Sequence, residues 1–229
     1  MYQVTFDIHS YWRAGTGRGA GALLDELVHR DGYGLPGLPG RTVKGLLRDA
    51  VCRAELWGHI AKDSTVCWFG GASCLKPTAE TENHEEITER LKAEKLNQKE
   101  AVNRLETKPG ALIVSDACID NEVRNYLRAL LQAKSTESNL EGEKLRRGFF
   151  HPIYATRIEH ETGSAQDKSL RGMEVAIPLK LTATLSVLPN SQLNDNWHTE
   201  LAKCLPLIRS IGTSRSRGLG RVTVELEKL

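Results

Sequence analysis

Residues 175–187 read Val-Ala-Ile-Pro-Leu-Lys-Leu-Thr-Ala-Thr-Leu-Ser-Val. Apolar residues fall at every second position, from Val175 through Leu181 to Val187. A period of two puts one set of side chains on one face of an extended chain, so this stretch predicts a long strand with one buried face. Residues 2–8 repeat the pattern with Val4, Phe6 and Ile8, and the last segment repeats it with Val222, Val224 and Leu226. Ala111–Val114 predict a short strand. Between these lie helical patterns. Val43, Leu46, Leu47, Ala50, Val51 and Ala54 recur at helical spacing, with Thr42 in the position of an N-cap. Val123, Tyr126, Leu127, Leu130 and Leu131 predict a second helix. Trp197, Leu201, Cys204, Leu205 and Ile208 predict a third, perturbed at Pro206. Residues 134–148 are polar and charged and predict a loop. Long alternating strands mixed with amphipathic helices favour an α+β fold, an antiparallel sheet with helices on one face.

The 229 residues suffice for one large domain or two small ones. Lys and Arg total 31 and Asp and Glu 29, a formal charge of +2, which excludes a histone-like protein or a long basic tail. A neutral total leaves room for a local cationic surface. Residues 80–106 hold eight Glu and five Lys or Arg, so the rest of the chain carries +5. This segment reads as a charged insertion. No apolar run reaches membrane-spanning length, and the N-terminus lacks a secretory pattern. Five Cys without an export signal read as free thiols in a cytoplasmic protein.

The stretch from Arg209 to Arg221 has four Arg, three Gly and no acid. It fits either a glycine-rich turn with solvated arginines or a phosphate-binding nest, and composition does not choose between them. Gly15, Gly17, Gly19 and Gly21 form a second glycine-rich loop with Arg13 and Arg18. Arg41, Thr42 and Lys44 open the first helix, where free N–H groups favour an anion. His9, Asp25, His29 and Asp31 flank these loops as candidates for acid–base or metal chemistry. Cys52, His59, Cys67 and Cys74 are four soft metal ligands within 23 residues, but no C-x-x-C pair marks a zinc site. Walker and nucleophile-elbow motifs are absent, and the aromatics form no visible stacking platform.

Five segments in order resemble the RAMP superfamily of CRISPR-associated proteins, and within it the backbone subunit of type III effector complexes. Leu38-Pro-Gly-Arg-Thr-Val-Lys-Gly-Leu-Leu-Arg48 is similar to L-P-G-S-S-x-K-G-x-x-R, with Arg41-Thr42 in place of the serine pair. Cys67-Trp-Phe-Gly70 resembles C-x-x-F-G. Gly110–Ala117 resembles the strand ending in D-A. Thr156-Arg157-Ile158 through Glu174-Val175 resembles R-[IV]…T-G-x-A…E-V, and Thr213–Val222 resembles the terminal G-x-S-R-G-x-G-x-V.

The resemblance implies a ferredoxin-like, RRM-related fold over residues 1–229 with insertions, and a thumb hairpin at 155–175. It implies a guide RNA across the palm, a paired target RNA, and copies of the chain or related RAMP subunits as neighbours. Arg41, Thr42 and Lys44 would hold guide phosphates, with Arg13, Arg18, Arg157, Arg215 and Arg217 as further candidates. Leu24–Asp31 resembles I-D-x-x-V-x-R-D, which puts Asp25 on the catalytic position. Asp25 would then assist cleavage of target RNA with a divalent metal, Mg²⁺, through attack of a ribose 2′-hydroxyl on its own phosphodiester. His29 is a possible helper. A non-catalytic or capping subunit of the same complexes fits too, as does a stand-alone guide-processing nuclease using His9 as base.

Overall fold

The computed structural model describes residues 1–17, 19, 24–71, 109–132, 136–189, 191 and 193–229. The charged insertion at 80–106, Arg18 and Cys74 lie outside the described residues.

Alternation becomes a four-stranded antiparallel sheet. Its strands are β1 (Tyr2–Ile8), β2 (Leu112–Val114), β5 (Lys180–Val187) and β6 (Val222–Lys228), in the order β2-β5-β1-β6. Phe6 sits opposite Leu181 on one side and Val224 on the other, so the apolar sets of three strands share one face. Val4, Phe6, Leu181 and Leu185 are completely buried there. Two helices cover that face. α1 (Gly40–Leu56) buries Val43, Leu47, Ala50, Val51 and Ala54. A later helix (Trp197–Cys204) buries Trp197, Leu201 and Cys204 against it. Each helix links two strands that are separated in the sheet by a third strand. This is the ferredoxin-like, RRM-type arrangement.

The other sheet face carries Gln3, Thr5, Asp7, Lys180, Thr182, Thr184, Thr223, Glu225 and Glu227, with Lys180 3.3 Å from Asp7. It is polar, net acidic and bare of aromatics at these positions. Bases could not stack on it in the RRM manner.

The remaining described helices are α2 (Ser64–Phe69), α3 (Asn121–Leu131) and α4 (Thr136–Gly148), and α5 is Trp197–Cys204. A second, two-stranded sheet pairs β3 (Phe150–Ala155) with β4 (Arg171–Ala176). This hairpin begins five residues before the predicted thumb boundary at 155.

Four local expectations are corrected. The stretch 175–187 is not one strand. It breaks at 177–179, where Pro178 supplies no N–H for a ladder, and the chain passes from one sheet to the other. Residues 136–148 are helical, not a loop. Thr42 is not the N-cap of α1. Pro39 precedes the helix, and its carbonyl accepts from the N–H groups of Thr42 and Val43 at 2.7 and 3.0 Å. Cys52 is disulfide-bonded rather than a thiol. Trp68 and Phe69 of the Cys-Trp-Phe-Gly element are buried core.

One buried carboxylate closes the far end of α1. Glu55 accepts from the N–H groups of Asp63 and Thr65 at 2.9 Å each and from the Thr65 hydroxyl at 2.6 Å. Burial pushes its pKa up, but the bonds from Thr65 and Asp63 and the charge of Arg48 outweigh this and hold it below the usual value. A depressed folded-state pKa contributes stability above the unfolded value, which is lost as pH falls through the folded one. Glu55→Gln should cost about 2–3 kcal/mol at neutral pH, because an amide cannot accept all three bonds as a charged group. Urea unfolding should show the gap between variant and wild type narrowing below about pH 4.

Candidate nucleic-acid interface

The site is built where both ends of the chain cross. After β1, residues 12–16 run beside residues 26–29. The His29 N–H donates to the Ala14 carbonyl at 2.7 Å, and Gly15 bridges Val28. The terminal glycine-rich loop lies on the same segment. Thr213 N–H donates to the Arg13 carbonyl at 3.0 Å, and Gly220 N–H to the Tyr11 carbonyl at 2.7 Å. Gly212 and Gly220 both have positive φ, 74° and 73°. A Cβ on Gly212 would run into the Arg13 carbonyl oxygen, and one on Gly220 into that of Ile211. These two glycines let the protein's backbone approach itself. Gly218, also at positive φ (84°), faces open space.

Arg13 has a different task from the one the sequence suggests. It is 6% exposed, pairs with Glu26, and donates from Nε to the Thr213 hydroxyl at 2.9 Å. Burial pulls its pKa below the ordinary value, yet so basic a group stays charged. Arg13 is a strut between the first and last loops rather than an open phosphate ligand.

Between these loops and the start of α1 lies a cleft of about 550 Å³. Arg41, Thr42, Thr16, Thr213, Arg215 and His29 line it, and no carboxylate among the described residues does. Two exposed guanidinium groups, three hydroxyls and an imidazole suit a phosphate chain. Lys44 follows on α1, partly exposed, without lining the cleft. The anion preference does not come from a vacant Gly40 amide: the Asp116 carboxylate already accepts its N–H at 2.6 Å. Gly40 is needed because a Cβ would lie 2.9 Å from the Val114 carbonyl oxygen.

Arg157 and Arg217 belong to a separate concavity at the loop end of the β3–β4 strands, beyond their last pair, Ala155 and Arg171. Arg215 and Arg217 share one 3₁₀ turn (Arg215–Arg217) and diverge from it.

Asp25 is exposed beside the hairpin. Its N–H donates to the Gly172 carbonyl at 2.9 Å, and its Oδ2 accepts from the Gly172 N–H at 3.0 Å. Oδ1 makes no hydrogen bond or ion pair among the described residues. Asp31 organises a turn: Oδ1 accepts from Tyr33 and Leu35 N–H, and Oδ2 lies 3.4 Å from Arg124 Nε. His9 Nε2 is held at 2.8 Å from the Thr223 hydroxyl on β6. Among the described residues no group of three or more His, Cys, Asp or Glu is placed to hold a metal ion. Among the described residues Asp25 offers one open carboxylate oxygen, Oδ1, to a divalent cation, whose other ligands would have to come from elsewhere.

Glu174 entered the sequence reading only as part of a resembling segment, with no task given to it. It is buried, accepts from Val28 N–H at 3.1 Å, and pairs with Arg30 at 2.6 Å. Arg30 stacks over Phe150, 4.0 Å from the ring centroid. Its position is out of phase with the apolar set of Val175 and Ile177, so the alternation carried no signal that it would be buried.

The family model of the RAMP superfamily matches residues 5–223. The chain belongs to the RAMP superfamily. Its fold is similar to a chain in the cryo-EM structure of apo type III-B Cmr-beta. That match has 11% identity, covers 99% of this chain and 97% of that one, and has a TM-score of 0.57. A chain of type III-B Cmr-beta bound to cognate target RNA matches at 12% identity, with 98% and 96% coverage and a TM-score of 0.53. No curated protein matches the sequence. Among the described residues no helix is long and apolar enough to cross a membrane.

In this RAMP chain the terminal glycines should separate by role. Gly220→Ala should lower stability by more than about 2 kcal/mol, since strain and a backbone collision add. Gly218→Ala should cost only about 1 kcal/mol, for its left-handed φ alone. Chemical denaturation midpoints of the two variants check the contrast.

Proposed function

We propose that the chain is a guide-RNA-binding backbone subunit of a type III CRISPR effector complex, and that it cuts guide-paired target RNA. The observation that carries this reading is the cleft, lined by no carboxylate among the described residues, which gathers Arg41 and Thr42 from α1 with Thr213 and Arg215 from the end of the chain. Similar folds in type III-B Cmr-beta, one of them bound to cognate target RNA, support it. The partners are then a guide RNA, a target RNA, and copies of this chain or related RAMP subunits.

Cleavage is assigned to Asp25. Its backbone and Oδ2 are fixed on Gly172, while Oδ1 keeps its acceptor capacity. An exposed, oriented carboxylate beside β4 is suited to align a ribose 2′-hydroxyl for attack on the adjacent phosphodiester. The products would be a 2′,3′-cyclic phosphate and a 5′-hydroxyl. A Mg²⁺ ion bound there would supply charge stabilisation at the phosphate oxygens.

The Gly172 bond also gives Asp25 a structural task, and that favours a second reading as a non-catalytic subunit. Asp25→Asn separates the two, because the amide oxygen still accepts from Gly172 while the charge is gone. In the assembled complex, Asp25→Asn should reduce target cleavage by about 100-fold or more with target binding unchanged. Wild-type cleavage by this variant would leave the non-catalytic reading standing.

Guide binding is tested apart from cleavage. Arg41→Ala and Arg215→Ala should each weaken binding for all guide sequences alike and lower the salt slope by roughly 0.7. A sequence-selective loss in filter binding would contradict a backbone contact.

A further inference from the structure

The segment that carries Asp25 lies against β4, where a parallel bridge joins Glu26 to Met173. The Asp25 N–H donates to the Gly172 carbonyl and the Glu174 N–H to the Glu26 carbonyl, each at 2.9 Å. The Glu174 side chain then continues what its backbone begins. Oε2 accepts from the Val28 N–H at 3.1 Å, and Oε1 pairs with Arg30 Nη2 at 2.6 Å. Glu26, Val28 and Arg30 are alternate residues, so Glu174 grips one side of the segment at three successive points. Arg30 is steadied in turn by the Phe150 ring of β3, 4.0 Å from its guanidinium carbon.

Stability alone does not account for this carboxylate. Burying it costs desolvation, and a well-packed apolar side chain in place of a buried ion pair is often no less stable. What an apolar side chain cannot supply is direction. Glu174 fixes where the segment sits along β4. A slip of one residue would turn alternate side chains to the opposite face and take Asp25 Oδ2 off the Gly172 N–H, now 3.0 Å away. On its other side the segment is bound to residues 14–16 at Leu27 and His29, past Asp25. Among the described residues the hydrogen bonds of Asp25 itself go to β4.

We infer that Glu174, through its pair with Arg30, is the positioning residue for Asp25. It sets the register of the 24–30 segment on β4, and that register keeps Oδ2 on Gly172 and Oδ1 open for the cleavage step. The inference rests on the assignment of cleavage to Asp25 and adds the residue that holds that carboxylate in place.

The test measures single-turnover cleavage at saturating target in the assembled complex, target affinity, and hydrogen–deuterium exchange of residues 24–30 in the full chain. Glu174→Gln puts an amide NH₂ against Val28 N–H or Arg30, both donors, so one of the two contacts is lost. It should slow cleavage about tenfold, leave target affinity unchanged and speed exchange at 24–30. Arg30→Lys keeps the charge without the planar contact to Phe150 and should fall between Glu174→Gln and the wild type. Glu55→Gln, which weakens the fold at the far end of α1, should leave the single-turnover rate unchanged. In an Asp25→Asn background, adding Glu174→Gln should alter the residual rate by less than about twofold, because the two residues act as a unit. A wild-type rate in Glu174→Gln with faster exchange at 24–30 would make Glu174 purely structural and overturn the inference, with Asp25 left standing. A further tenfold loss in the Asp25→Asn background would overturn it too, since Glu174 would then act apart from Asp25. Should Glu174→Gln fail to assemble, Arg30→Lys decides on the same two readouts. If Asp25→Asn itself cleaves at the wild-type rate, the cleavage assignment falls and this inference falls with it.

Discussion

The backbone of the terminal loop lies against the backbone of the loop after β1 with no space for a side chain between them. Thr213 and Gly220 donate to the carbonyls of Arg13 and Tyr11, and Gly212 and Gly220 leave the gap that this contact needs. Everything at the interface depends on that crossing. It brings Arg215 from the end of the chain to Arg41 and Thr42 from α1, more than 170 residues earlier. It also seats the 3₁₀ turn between two concavities. Residues two apart on such a turn point about 120° apart, so Arg215 and Arg217 serve different hollows.

Charge pairing then decides which cations stay available. Arg13 is neutralised by Glu26 and Arg30 by Glu174, and both pairs hold the 24–30 segment in place. Each pair joins one buried partner, Arg13 or Glu174, to a half-exposed one, and losing the exposed partner leaves a buried charge without compensation. Among the described residues Arg41, Arg157, Arg215 and Arg217 make no ion pair, which leaves them open to an external anion. Which arginines become struts is therefore decided by where the fold places two carboxylates, Glu26 and Glu174.

Much of the sheet and its helices was legible because burial on one face writes a period into the sequence. β1, β5, β6 and α1 follow their apolar periods closely. The break at Pro178 was not legible as a change of sheet, since a proline marks a missing donor and not where the chain goes next. Helix α4 was missed because it has no wide apolar stripe of its own. Leu140 and Leu145 are exposed, and Gly142 packs on Leu130 and Leu131 of α3, so the helix is held by its neighbour. At the site, residue type identified the arginines and glycines but not their tasks. Nothing local tells Arg13 from Arg41, and a glycine serving the chain's own backbone reads like one serving a ligand.

On the proposed function, the open face of the sheet would bear on how a nucleic acid arrives rather than how it is held. Asp7, Glu225 and Glu227 stand there, and Arg41, Arg215 and Arg217 stand along the loops. A polyanion drifting past experiences a torque as well as an attraction. It is turned away from the sheet and toward the loop edge before any contact forms. Such steering shortens the search over wrong orientations and fades as salt screens the field.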